Sequence, residues 1–198
     1  MAYAVHLKLY GVFSMDYRKM IWGLRGIVYK SFFGRFGNMS YIGKPISLIG
    51  TKNIFVDNRV RIYPGVRMEA YNGGRIIIRE NTSIAQNFHI TAEQEELVIG
   101  KNVTILANAF VTNIDHGYQD INKHILDQEW TVRTTRIGDG SFIGFGAAIQ
   151  AGTILGKHCV VGANAVVRGC YQDYTVLAGV PAKIIKRYNA KTGQWERT

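Results

Sequence analysis

The stretch Ile137–Val167 reads IGDGSFIGFGAAIQAGTILGKHCVVGANAVV, and every sixth position in it is aliphatic: Ile137, Ile143, Ile149, Leu155, Val161 and Val167. A small residue stands four places after each of the first five, at Ser141, Ala147, Thr153, Cys159 and Ala165. Glycine follows the aliphatic position at Gly138, Gly144, Gly156 and Gly162. The same spacing runs earlier through Ile78, Ile84 and Ile90, and again through Ile99, Ile105 and Val111. A period of six fits neither an amphipathic helix nor a simple alternating strand. It predicts a three-sided coil with one short strand per face, an inward aliphatic residue on each and a small residue near each corner. Stacked coils satisfy one another's backbone groups at about 4.8 Å per step. Tight corners explain Gly100-Lys101-Asn102 and Gly138-Asp139-Gly140. The fold class is therefore all-β, a parallel β-helix.

Coiling is expected from near Ile42 or Leu48 onward, less regularly around Val56, Ile62 and Met68, with small bulges or protruding turns at 72–77 and 91–98. Residues 1–41 break the pattern. Met20, Trp22, Leu24, Ile27 and Val28 predict a helical cap over the open end, where an uncovered coil would expose unpaired edges. Lys8, Arg18, Lys19, Arg25, Lys30 and Arg35 in this segment also suit an anionic membrane surface, and the two roles are compatible. The predicted layout is a cap (1–41), a β-helix (42–182) with an excursion loop (112–136), and a basic extension (183–198).

Composition narrows the class. The chain has 198 residues, 47% hydrophobic and 12% aromatic, which excludes intrinsic disorder. Two cysteines make neither a secreted disulfide framework nor a four-ligand zinc site. No apolar run approaches the roughly 18 residues a membrane helix needs. The start, MAYAVHLKLYGVF, lacks an apolar h-region and a small-residue cleavage site, so a cytoplasmic protein without a signal peptide is expected. The net charge of +10 is concentrated at the two ends, which fits a membrane surface, an anionic cofactor or nucleic acid about equally.

The period stops within Thr112–Arg136, TNIDHGYQDINKHILDQEWTVRTTR, and resumes at Ile137. A long structureless excursion from a compact repeat is more often functional than not. Its usable groups include Asp115, His116, Tyr118, His124 and Trp130. His116 follows directly on a coil strand, so its position should be well defined. Alone it would read as a solvated loop histidine.

The repeat, the looped-out histidine and Val176-Leu177-Ala178-Gly179-Val180-Pro181-Ala182-Lys183 together resemble the left-handed β-helix, hexapeptide-repeat acyltransferases. The group resembled most is the maltose, galactoside and surface-polysaccharide O-acetyltransferases. The resemblance covers about residues 42–190. It implies left-handed coiling, against the usual crossover rule, a homotrimer with its site between subunits, and acetyl-CoA as co-substrate without a metal. His116 matches the family's catalytic histidine, a general base for a sugar hydroxyl. Asn87 matches an acceptor-binding position, or is a corner asparagine. Phe142 stands where many relatives have a tryptophan lining the pantetheine arm. Phe145 and Ala163 match backbone contacts to CoA, and Lys183, Lys186 and Arg187 match cations near its phosphates. Asp115 either orients His116 or turns the chain, and Tyr118, His124 and Trp130 are candidate acceptor contacts. Cys159 occupies a small core slot and is not a nucleophile.

The resemblance thus implies a cytoplasmic enzyme, at the inner face of the membrane if the basic segment touches lipid. It would acetylate a sugar or glycan hydroxyl in capsule or lipopolysaccharide biosynthesis, with no nucleic-acid partner. Two alternatives remain within the fold. One is N-acetylation of a nucleotide-linked amino sugar. The other is a zinc enzyme of the γ-carbonic anhydrase type, disfavoured because His89 and His116 are 27 residues apart, not a multiple of an 18-residue coil. A non-catalytic scaffold is the reading from another class.

Overall fold

A computed structural model describes residues 17–198. The first 16 residues, with Lys8 and the start of the expected cap, lie outside the described residues. Three parallel sheets form the faces of a prism. The first face stacks Arg35–Phe36, Ile54–Val56, Arg75–Ile78, Glu96–Ile99, Arg136–Ile137, Ile154–Leu155 and Cys170–Tyr171. The second runs from Tyr41–Ile42 through Arg61–Ile62, Ser83–Ile84, Thr104–Ile105, Phe142–Ile143 and Val160–Val161 to Thr175–Gly179. The third contains Ser47–Ile49, Arg67–Tyr71, His89–Glu93, Phe110–Thr112, Ala148–Ile149 and Val166–Val167.

The hexads behave as the period requires. Ile137, Ile143, Ile149, Leu155, Val161 and Val167 are all buried, and so are the five small residues in step with them. Each fully buried aliphatic side chain contributes about 1.5–3 kcal/mol of transfer free energy. Corners are turned by residues at positive φ, among them Asn81, Asn102 and Gly140 at one edge and Asn87, Asn108 and Asn164 at another. Asparagine tolerates this conformation better than other side chains. It also bonds along the axis, as Asn87 Nδ2 does to Asn108 Oδ1 at 3.1 Å.

Coiling starts earlier than Ile42. Phe36 occupies the slot six residues before it, is buried, and pairs in register with Val56. An aromatic ring fills that slot, which a search for aliphatic residues passes over. The coils around Val56, Ile62 and Met68 are regular, with all three side chains fully buried. Between the early coils bulging falls at one edge, where Asn72, Gly73 and Gln94 adopt positive φ and the strands before them lengthen to five residues.

Helix α1 (Tyr17–Tyr29) lies against the first coil. Trp22 packs its ring on Tyr41 and Tyr63 at 5.8 and 5.5 Å, and Gly26 is buried against Phe36. The other apolar residues expected to cap the core, Met20, Leu24, Ile27 and Val28, face outward and are more than half exposed. At the far end, Ala182–Asn189 and Gln194–Arg197 extend the second face as antiparallel strands.

Candidate active site

The excursion is an antiparallel hairpin, not a structureless loop. Strand Ile114–His116 pairs with Trp130–Val132, setting His116 opposite Trp130. Its root is fixed by Asn113, fully buried, whose amide accepts from the backbone N–H of Glu93 and donates to its carbonyl, both at 2.9 Å. The hairpin tip folds into a 3-10 turn, Ile125–Asp127, capped by His124 Nδ1 accepting from the Leu126 N–H at 3.2 Å. That bond occupies the histidine nearest the tip. Tyr118 is 71% exposed.

His116 borders a pocket of about 380 Å³ on the third face. Its floor stacks from consecutive coils: Arg67 pairs with His89, and His89 with Phe110. The Trp130 ring closes one wall, 5.3 Å edge-on from His116 and 5.6 Å from Tyr71. Glu69 is 2% exposed, and its Oε1 accepts from Ser47 Oγ and Arg67 Nε, both at 2.7 Å. Its Oε2 accepts from the Tyr71 hydroxyl at 3.0 Å. Burial pushes this carboxyl's pKa up, but the three hydrogen bonds outweigh it and hold it below the usual value. Desolvation, then the nearby Arg67 charge, lower the pKa of His89, whose Nε2 lies 3.2 Å from Thr91 Oγ1. Aromatic walls around a few fixed polar groups are the chemistry of a small-molecule pocket.

Two more concavities flank this one. The first, about 430 Å³, shares Trp130 and adds Glu93, Glu129, Asn72, Gln94, Gln128 and Leu126. The second, about 320 Å³, lies across His116 and includes Asp115, Tyr118, Arg133 and Arg168. There the Asp115 carboxylate is held by Arg168, so the acid next to the histidine is engaged away from the imidazole.

The residues matched to CoA lie elsewhere. Phe142, 38% exposed, is on the second face, in one row with Val160, Val176 and Lys186. Three inter-strand steps separate the ring from that lysine, about 14 Å. Lys183 and Arg187 share the lysine's strand. Phe145 and Ala163 are exposed at the corner between the second and third faces, where the Asn164 N–H donates to the Phe145 carbonyl. None of these residues lines the His116 pocket. Asn87 sits on that same edge one coil away from the excursion's root strand. Cys159 is fully buried in its slot.

Arg67, Glu69 and Tyr71 were not singled out from sequence, and His89 was weighed only as a zinc ligand. The available signal was coil pitch: the bulged early coils advance by 21 or 22 residues, not 18, which stacks Arg67, His89 and Phe110 in one row. His89 and His116 therefore line one pocket despite their 27-residue separation. No group of three or more metal-ligating side chains converges among the described residues.

Residues 134–169 match the family described as bacterial transferase hexapeptide (six repeats). Over 140 residues the chain is 37% identical to the Escherichia coli K12 protein named "Putative lipopolysaccharide biosynthesis O-acetyl transferase WbbJ", covering 67% of this chain and 71% of that one. The chain belongs to the left-handed β-helix, hexapeptide-repeat acetyltransferases. This acetyltransferase superposes on AntD, an N-acyltransferase of Bacillus cereus solved with dTDP and 3-hydroxybutyryl-CoA. The TM-score is 0.73 at 18% identity, covering 85% of this chain and 90% of AntD. It also superposes on a galactoside acetyltransferase solved with coenzyme A, at TM-score 0.62 and 20% identity, covering 94% and 90% of the two chains. At such identities these likenesses concern the fold.

Proposed function

We propose that the enzyme transfers an acetyl group from acetyl-CoA directly to a hydroxyl of a sugar in a bacterial surface polysaccharide or its precursor. His116 is the general base. The observation that carries this reading is the place of His116, at the rim of an aromatic-walled polar pocket on a hairpin rooted in rigid coils. A sugar hydroxyl is too weakly acidic to attack a thioester well at neutral pH. A neutral imidazole takes its proton as the C–O bond forms, a backbone N–H stabilises the developing oxyanion, and the imidazolium gives the proton to the CoA thiolate as the C–S bond breaks and free CoA leaves.

The acceptor pocket belongs to the third face and the CoA-matched row to the second. That division supports a homotrimer in which one subunit's second face meets the next subunit's hairpin. The exposed Ile121, Ile125 and Leu126 of the hairpin suit such a contact. The outward apolar side of α1, with Lys19 on the same helix, supports peripheral contact with the inner face of the membrane. The cap, β-helix and basic extension then serve lipid, catalysis and CoA respectively.

His116→Ala is expected to lower acetyl transfer by about 10²–10⁴-fold while CoA affinity, read by calorimetry, persists. Wild-type-like turnover would remove the base assignment. The likeness to AntD favours a second reading, N-acylation of a nucleotide-linked amino sugar. Hydroxylamine treatment of the product separates the two, since it cleaves an ester and spares an amide.

A further inference from the structure

We propose that the acceptor is recognised as two linked sugar rings, the reacting one beside His116 and its neighbour in the cavity on the other side of Trp130. This rests on the reading of the His116 pocket as the acceptor site and names the substrate class within it.

The two cavities, about 380 and 430 Å³, have Trp130 in common. That ring is held in T-shaped contact by Tyr71 and His116, so it is a fixed divider between the two cavities. The second cavity's polar groups are two carboxylates, Glu93 and Glu129, and the amides of Asn72 and Gln94, while the Gln128 amide is already bonded to the backbone of Asp120 and Lys123. Carboxylates and amides offer paired acceptors and donors, the pattern that adjacent ring hydroxyls complement.

Glu93 adds an independent observation. It is 5% exposed, its Oε1 accepts from Asn72 Nδ2 at 2.9 Å, and its buried Oε2 has no hydrogen-bond partner among the described residues. Its backbone is pinned on both sides by Asn113, so the carboxylate is fixed in place. An unsatisfied buried acceptor costs about 1–3 kcal/mol, and more when charged. This oxygen is covered, so a ligand hydroxyl that donates to it, and so recovers that cost, needs a small shift of the side chains over it. In the neighbouring pocket Glu69 already receives three protein donors, so the spare acceptor lies on the far side of Trp130.

The same cavity disfavours a nucleotide. Among the described residues no lysine or arginine lines it, and a diphosphate placed there would face two carboxylates. A neutral second sugar meets no such repulsion.

The test is steady-state acetyl transfer, with saturation-transfer NMR for binding, on matched probes. These are methyl α-D-glucopyranoside against maltose, methyl β-D-galactopyranoside against lactose, and methyl N-acetyl-β-D-glucosaminide against chitobiose, with UDP-glucose and UDP-N-acetylglucosamine alongside. At least one disaccharide should exceed its methyl glycoside by about ten-fold in kcat/KM or in affinity, chiefly through KM. Glu93→Gln and Glu129→Ala should each collapse that advantage to within about two-fold, whereas Lys101→Ala, on a distant corner, should retain it. Parity across every pair, a preferred UDP-sugar, or an advantage that survives both substitutions overturns the proposal. Failure of the base reading would show separately, as undiminished turnover in His116→Ala whatever the acceptor's length.

Discussion

Arg168 reaches back across the excursion to clamp Asp115, with Nη2 2.6 Å from Oδ1 and Nη1 2.8 Å from Oδ2. Residues 53 apart in sequence are thus joined in a bidentate pair one position before His116. Arg133 Nε lies 3.6 Å from the same carboxylate, and Gln150 Oε1 accepts from Arg168 Nε at 3.2 Å. The clamp ties the outgoing strand of the hairpin to the sixth coil, where planar, two-point contact fixes direction as well as distance.

Removing this clamp should affect turnover more than stability. Exposed ion pairs contribute about 0–1 kcal/mol. Arg168→Ala is therefore expected to keep Tm within about 2–4 °C of the wild type. Its kcat should fall by about ten-fold, with partial rescue in Arg168→Lys, and the backbone amides of Asp115 and His116 should exchange faster with solvent. Unchanged kcat would show that the hairpin holds its own position.

Acid sensitivity should come in two stages. The pKa of His89 is lowered in the folded state, so protonation favours the unfolded chain, and its contribution, present above about pH 6.5, is lost as pH falls. Glu69, also lowered, contributes above about pH 4.5 and loses that contribution below it. Thermal unfolding against pH should show His89→Asn flattening the slope from about pH 6.5 downward and Glu69→Gln flattening it only below about pH 4.5.

Coil stacking leaves no room at Gly138, where a Cβ would strike the backbone carbonyl of Gly156 in the next coil. Gly138→Ala should destabilise by about 1–3 kcal/mol, seen as a fall of several degrees in Tm. At Gly73 a Cβ meets nothing within 4 Å, but φ is +82°, so Gly73→Ala should also cost stability through backbone strain alone.

The two cysteines should differ in reactivity. Burial raises the pKa of the Cys159 thiol, whose Sγ–H reaches the Gln172 carbonyl at 3.3 Å, while Cys170 is exposed. Native protein titrated with a disulfide reagent should release one equivalent quickly, abolished by Cys170→Ser. Cys159→Ala should retain acetyl transfer.

The hexads from Ile137 to Val167 and the break after Thr112 were legible because each inward slot is filled by a nearest-neighbour rule that repeats along the chain. Phe36 was not, because an aromatic ring can fill the same slot. His116 and Trp130 were visible as chemistry gathered in one segment. Arg67, Glu69 and His89 were not, because two bulged coils change the pitch and only the stacked register brings them beneath that segment.

The sequence by itself determined the prism, its approximate start and the segment that interrupts it, since a period of six admits few ways to bury one side chain per face. Only the tertiary structure decided what His116 faces, that Asp115 is committed to Arg168, and that Glu93 is left with a bare oxygen. Those facts depend on which coil lies above which, and a one-dimensional period carries no record of where bulges shift that alignment.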